Sequence, residues 1–291
     1  MTVQFLGPTV NARVRRIRQG VVRDVSDVVT TEEPLEIRLL YRNGYEEAKV
    51  SVSVTMRTPR HDYELAAGFL YTEGIINDLE EIDRISYCMD EDVDQHYNIV
   101  NVCLKPGVLF DINLLTRNFY TTSSCGICGK ASLEALELKE YCPPPLGIPR
   151  VEEAVIYGLP EALRRFQKVF ERTGGLHGAA LFDPQGSLLA LREDVGRHNA
   201  VDKLIGYGLL NKKLPFNEVI LVVSGRTSYE IMQKALAAGI PMVVAVGAPS
   251  SLALDLARRF HMTLIGFARS DGFNIYVGTE RVVRADGSYV S

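Results

Sequence analysis

The feature that most constrains this chain is its last third, where apolar strand-like runs alternate with runs of helical length. From Leu176 the order is strand LHGAALFD, a turn over 183–186, strand SLLALRE, a helix over about 199–210 and strand EVILVVS. A helix over 229–238, strand MVVAVG, a helix over 251–260 and strands TLIGFA and NIYVG complete it. Such alternation builds an α/β domain, and continuous apolar runs such as 219–223 and 242–246 mark later strands that are parallel and buried on both faces.

The first part reads differently. Runs 35–41 and 49–57 are strands, the second placing Val50, Val52, Val54 and Met56 on one face and Ser51, Ser53 and Thr55 on the other. HDYELAAGFLYTEGII is a helix that Asp62 caps, with Leu65, Ala66, Phe69 and Leu70 as its apolar stripe and Gly74 at its end. Strands follow at 82–89 and 97–104, in which Cys88 and Cys103 serve as small core hydrophobes. A helix over about 131–141 is stopped by Cys142-Pro-Pro-Pro, and 143–149 is the best linker. Beyond it, 151–172 is helical, divided at Pro160, with Leu163, Phe166, Val169 and Phe170 facing a core.

At about 150 residues per domain, 291 residues make roughly two domains. The expected division is a β-rich α+β domain over 1–120, a connection over 121–149 and an α/β domain over 150–291. With 46% hydrophobic and 23% charged residues, the composition excludes disordered, collagen-like and disulfide-framework classes. The formal charge of −4 lacks the basic excess of a general nucleic-acid binder, so an anionic ligand must be recognised locally. The amino terminus does not read as a secretory signal, and the most apolar run, 240–248, falls far short of the ~20 residues that span a bilayer. The expectation is a cytoplasmic protein with no membrane partner. Its five cysteines should then be mostly thiols, and spacing matters more than count.

Spacing singles out Cys125-Gly-Ile-Cys128-Gly. Flanking glycines expose the sulfurs, and the following helix start and Lys130 favour thiolate, the reactive form. Zinc binding normally needs four protein ligands, and the chain offers no second C-x-x-C, only Cys142 as a third; no metal is expected. A second constellation is three turns after strands: Ser224-Gly225-Arg226-Thr227-Ser228, Gly247-Ala248-Pro249-Ser250, and Phe267-Ala268-Arg269-Ser270-Asp271-Gly272. In a parallel sheet such turns share one edge, where helix amino termini offer N–H donors to anions. Arg226 and Arg269 can grip phosphate there, and Asp271 can accept hydrogen bonds from a base or ribose. The third is the polar run from Arg192 to Lys203, including Arg197 and His198, either a pocket wall or a solvated helix cap. His177 reads as structural.

Taken together, PRHDYELAAGFLYTEG, SSCGICGKAS, TGGLHGAAL, EDVGRHNAVDKLIG, SGRTSYEIMQKALAAGIP and GFARSDGFNIY resemble the formate dehydrogenase accessory sulfurtransferases over nearly the whole chain. The resemblance implies a three-layer αβα, cytidine-deaminase-like carboxy-terminal domain. The deaminase zinc chemistry is absent, because His198-Asn199-Ala200 stands where His-x-Glu would be and the 225–229 turn replaces Pro-Cys-x-x-Cys.

It further implies that a cysteine desulfurase hands sulfur to Cys125 as a persulfide, assisted by Cys128. The sulfur then passes to the bis-molybdopterin guanine dinucleotide cofactor of the client formate dehydrogenase. Cofactor binding falls on Phe267, Ala268, Arg269, Ser270, Asp271 and Gly272, with Ser224, Gly225, Arg226 and Arg197 as supporting walls; guanine nucleotide is the expected mimic. A homodimer is implied by the resemblance alone. A cofactor-binding chaperone and a thiol–disulfide oxidoreductase remain as alternatives.

Overall fold

A computed structural model describes residues 7–43, 46–89, 96–108, 141 and 143–290. Cys125, Cys128, Cys142 and all but the last residue of the helix expected over 131–141 lie outside the described residues.

The described residues open with a hairpin, β1 (Thr9–Arg18) and β2 (Val21–Thr30). Four strands then form one sheet in the order β4-β3-β6-β5: β3 (Glu33–Asn43), β4 (Glu46–Arg57), β5 (Ile82–Tyr87) and β6 (Ile99–Leu104). Helix α1 (Asp62–Thr72) covers the sheet, burying Leu65, Ala66 and Leu70 against Leu35, Ile37, Leu39, Val100 and Val102.

Two sequence expectations fail locally here. In β4, Ile37 opposes Ser53 and Arg38 opposes Ser51, which leaves Val52 as an extra residue. This bulge reverses the alternation beyond it. Val54 and Met56 therefore face solvent, at 57% and 47% exposure, while Arg57 turns inward. Nor does Asp62 cap α1. It is the first helical residue, preceded by His61 in the left-handed region, and its buried carboxylate is taken by Arg57.

The second sheet has six strands in the order β13-β12-β11-β10-β8-β9. They are β8 (His177–Phe182), β9 (Leu188–Asp194), β10 (Ile220–Val223), β11 (Met242–Ala245), β12 (Thr263–Arg269) and β13 (Gly272–Val277). Strands β10, β11 and β12 pair in parallel; β8 pairs antiparallel with both β10 and β9, and the last strand, β13, pairs antiparallel with β12. The expected run of parallel strands thus stops at β12.

Alternate residues of these strands face opposite layers. Leu181, Leu221, Val243 and Leu264 meet α4 (Arg197–Leu210), α5 (Tyr229–Ala237) and α6 (Ser251–Arg259). Phe182, Val222, Val244 and Ile265 meet α2 (Glu153–Phe166). Pro160 sits inside α2, and the break comes instead at Gln167, whose side chain is buried against Gly178. There the Glu193 carboxylate accepts from Val169 N and Phe170 N and starts a new helix, α3 (Lys168–Thr173). Phe166, the last residue before the break, is 42% exposed and does not join the core.

The segment expected to be a linker is held in place. Arg281, fully buried, donates to the carbonyls of Pro145, Ile148 and His261 and to Thr263 Oγ1. Beside it, short strands β7 (Val151–Glu152) and β14 (Val282–Val283) pair in parallel.

The two sheets meet where α1 crosses α4. A Cβ on Gly68 would lie 1.9 Å from the Asp202 carbonyl oxygen, and one on Gly206 would lie 1.8 Å from that of Glu64. Only glycine permits backbones this close. Around the crossing, the Glu64 carboxylate takes Arg192 Nη2 at 2.7 Å, and Lys234 Nζ lies 2.9 Å from Asp202 and 2.9 Å from Thr72 Oγ1. Burial pushes the Asp202 carboxyl up to about 6 even beside that ammonium. Gly206→Ala should destabilise the protein by roughly 3 kcal/mol in denaturant unfolding, because the methyl meets backbone that cannot rotate away. An unchanged unfolding midpoint would contradict the close crossing.

Candidate anion-binding site at the strand ends

The carboxyl ends of β10, β11 and β12 carry the three turns singled out in the sequence, and backbone hydrogen bonds tie them together. Gly247 N donates to Gly225 O at 3.1 Å, Thr227 N to Ala248 O at 3.1 Å, Ser250 N to Thr227 O at 3.0 Å, and Phe267 N to Gly247 O at 3.1 Å. Glycine is required at the centre: a Cβ on Gly247 would sit 2.8 Å from Gly225 O and 2.9 Å from Arg226 N. The first two turns lead into α5 and α6 as expected. The third does not lead into a helix. Ser270 and Asp271 are the exposed two-residue turn between β12 and β13, and Gly272 already belongs to β13, so that turn has no helix dipole to offer an anion. The residues that follow, NIYV, alternate as a strand does and return the chain antiparallel.

The expected site residues play unequal parts. Ser224 Oγ accepts from Gly178 N at 2.9 Å, so this hydroxyl joins β10 to β8. Arg226 is exposed, whereas Ala268 is fully buried in the core beneath the turns. Phe267 adopts φ 53° and is 44% exposed, a strained backbone that presents its ring at the surface. Arg269 folds back, with Nη1 donating to Val246 O at 2.7 Å and Ala268 O at 2.8 Å; it braces the turn as well as bringing charge. Arg197 opens α4 without a side-chain cap ahead of it, and its Cδ approaches the point where a Gly225 Cβ would be, at 3.9 Å.

Two polar atoms here have no partner. Arg197 Nε and Thr227 Oγ1 are both buried and make no hydrogen bond among the described residues. Leaving such groups unsatisfied costs about 1–3 kcal/mol each, which a ligand supplying acceptors would recover. Thr227 was not distinguishable in the sequence from any other turn threonine. His177 is also drawn in: its ring lies 3.4 Å from where a Gly225 Cβ would be, so it borders the turn although its sequence surroundings read as structural.

The polar run from Arg192 to Lys203 divides by direction. Asp194, Asn199 and Lys203 point inward: Lys203 Nζ donates to Asp194 Oδ2 at 2.6 Å and to Thr58 O at 2.9 Å, and Asn199 Nδ2 to Met56 O at 2.8 Å. They fasten β4 and the loop before α1 to α4. Arg197 and His198 point to the turns. His198 Nε2 is 3.3 Å from Ser228 Oγ, and the Ser228 hydroxyl bonds the Glu230 carboxylate. Since a carboxylate only accepts, the hydroxyl proton goes to Glu230, and His198 must donate from Nε2. Burial, then the charges of Arg197 and Lys234, hold the His198 ring down to about 4. His177 is lowered by burial and by Arg197. The site's positive charge therefore comes from arginine, with neutral imidazoles beside it.

This sets a pH signature. The unfolded chain binds a proton at His198 as pH falls through 6.5, the folded chain only near about 4, so folding stability declines as pH drops across that window. Replacing His198 with Gln should remove that part of the decline in unfolding experiments. A wild-type and variant difference constant from pH 7 to pH 4.5 would contradict a neutral ring.

Residues 30–283 match the FdhD/NarQ family. The sulfur carrier protein FdhD of Streptomyces avermitilis is 49% identical over 280 residues, covering 94% of this chain and 95% of that one. The sulfur carrier protein FdhD of Sulfolobus acidocaldarius is 42% identical over 270 residues, covering 93% and 97%. Among solved structures, a protein of Desulfotalea psychrophila described as a formate dehydrogenase accessory protein superposes with a TM-score of 0.71. It shares 26% identity and covers 94% of this chain and 99% of that one. With the match spanning nearly the whole of both sheets and all three strand-end turns, this chain belongs to the FdhD/NarQ family.

Proposed function

We propose that the protein is a sulfur carrier for formate dehydrogenase: it takes sulfane sulfur from a cysteine desulfurase on Cys125 and delivers it to the bis-molybdopterin guanine dinucleotide cofactor, held as substrate at the strand-end turns. The observation that carries the reading is the pairing, in one chain of this family, of a glycine-flanked C-x-x-C with a cationic, rigid cradle whose buried Arg197 Nε and Thr227 Oγ1 have no partners.

Loading is an exchange between sulfurs. The Cys125 thiolate attacks the outer sulfur of the desulfurase persulfide, the S–S bond to the donor cysteine breaks, that cysteine leaves as thiolate, and Cys125 carries the new persulfide. Cys128 assists release. The strand-end site contributes binding and orientation. Arg197 and Arg226 answer phosphate charge, the Thr227 hydroxyl gains an acceptor, and the Phe267–Gly272 turn bounds the guanine end. In this reading the α/β part is a cytidine-deaminase-like scaffold used without zinc, the amino-terminal part over 1–120 is a separate β-rich unit, and the protein works as a cytoplasmic homodimer.

Two measurements test it. After incubation with cysteine and a desulfurase, intact-mass spectrometry should find one added sulfur on wild type and Cys128→Ala and none on Cys125→Ala; sulfur kept by Cys125→Ala would overturn the assignment. Guanosine diphosphate affinity should fall about tenfold in Arg197→Ala and in Arg226→Ala, the loss of one charge-assisted contact each. Unchanged affinity in both would remove the strand ends from the binding site. The chaperone alternative predicts that formate dehydrogenase matured with a Cys125→Ala, Cys128→Ala double variant is still sulfurated.

A further inference from the structure

A second cleft, of about 490 Å³, opens where β4 hands over to α1, and Arg57, Arg60, His61, Asp62, Tyr87 and Tyr97 line it. Arg57 is the unusual residue. Its side chain is only 1% exposed, its Nε and Nη2 each donate to Asp62 at 3.1 Å, and Nη2 also donates to Tyr97 O at 3.2 Å. Nη1 is buried and has no hydrogen-bond partner among the described residues. In a planar guanidinium whose Nε–Nη2 edge faces a carboxylate, Nη1 is the corner directed away from it. A buried cationic donor without an acceptor is costly, so its retention points to an acceptor that the described residues do not supply.

Among the described residues, the surrounding charges fit an anion. The Asp62 carboxylate is already engaged by Arg57 and by the Tyr87 hydroxyl at 3.1 Å. Glu64, near His61 Nδ1 at 3.2 Å, is held from its other side by Arg192. That leaves the exposed Arg60 as a cation at the mouth of the cleft. Helix α1 starts here without a side-chain cap, so the positive end of its dipole adds to the same field. Arg60 and His61 both hold positive φ, 100° and 59°, a strain that non-glycine residues keep where the surroundings impose it. Tyr87 and Tyr97 supply aromatic surface on the wall.

We propose that this cleft is a binding site, separate from the strand-end turns, for an oxyanion borne on an aromatic ring: the phosphate or carboxylate meets Arg57 Nη1 and Arg60, and the ring lies on the tyrosines. The test is calorimetric titration of the full chain, its strand ends occupied by guanosine diphosphate in excess, with phenyl phosphate, benzoate and inorganic phosphate. One saturable site per chain is expected for phenyl phosphate, benzoate or both, with inorganic phosphate weaker; the tighter of the two aryl probes tells a phosphate source from a carboxylate one. Arg60→Ala, at an exposed position, should weaken the aryl probe about tenfold, while Arg197→Ala leaves it unchanged. Absence of saturable binding, inorganic phosphate binding as tightly as either aryl probe, or loss in Arg197→Ala with none in Arg60→Ala would each overturn the proposal. These outcomes are independent of whether guanine nucleotide binds at the strand ends.

Discussion

The rest of the structure depends on two helices touching at backbone distance. Gly68 and Gly206 let α1 and α4 cross so closely that each backbone fills the space a Cβ would occupy on the other. Such a contact is stiff because it contains no rotatable side chain. It fixes α4, and so the direction of Arg197 and His198 at its start, relative to the amino-terminal sheet. The ionic groups around the crossing complete the fixing: Glu64 with Arg192, Asp202 with Lys234 and Thr72, Asp194 with Lys203 and Thr58. Each is buried or nearly so, and each pairs or hydrogen-bonds its charge, which is the condition under which buried charges are tolerated. Removing one partner from such a pair would leave the other uncompensated, so the junction resists independent motion of the two sheets.

The same economy of small residues shapes the strand ends. Gly247 and Gly266 let neighbouring turns approach closely enough to hydrogen-bond backbone to backbone, and the result is a rigid frame beside the open donors Arg197 Nε and Thr227 Oγ1 in place of mobile lysines. Fixed donors cost little to reorganise when an anion arrives. Arg269 contributes to that rigidity through Val246 O and Ala268 O, and the neutral imidazoles of His177 and His198 fill the wall without competing for the ligand's charge. A chain of net charge −4 can in this way hold a polyanion with a few arginines.

Legibility in the sequence followed the range of the forces involved. The α/β order, the helices over 229–238 and 251–260 and the turns at Ser224 and Gly247 were readable because hydrophobic period and turn chemistry are local. What escaped was decided by contacts between distant residues. The bulge at Val52 reverses a perfect-looking alternation; Asp62 leaves its capping role because Arg57 claims its carboxylate; the helix break moves from Pro160 to Gln167 because Glu193 starts α3. The strand NIYVG after the 267–272 turn was readable from its alternation, but that turn was grouped with the anion-binding turns although no helix amino terminus stands behind it. Arg197 and the arginines were visible as charge, whereas the isolation of Arg197 Nε and Thr227 Oγ1 exists only once three turns have been brought together.

The central claim is that those three turns form one preassembled anion cradle. A crystal structure of the protein with guanosine diphosphate tests it most directly. The account predicts diphosphate oxygens within about 3 Å of Arg197 Nε and Thr227 Oγ1, with the turn backbones unmoved. A nucleotide seated elsewhere, or one that binds only after the Ser224–Ser228 and Phe267–Gly272 turns separate, would contradict it.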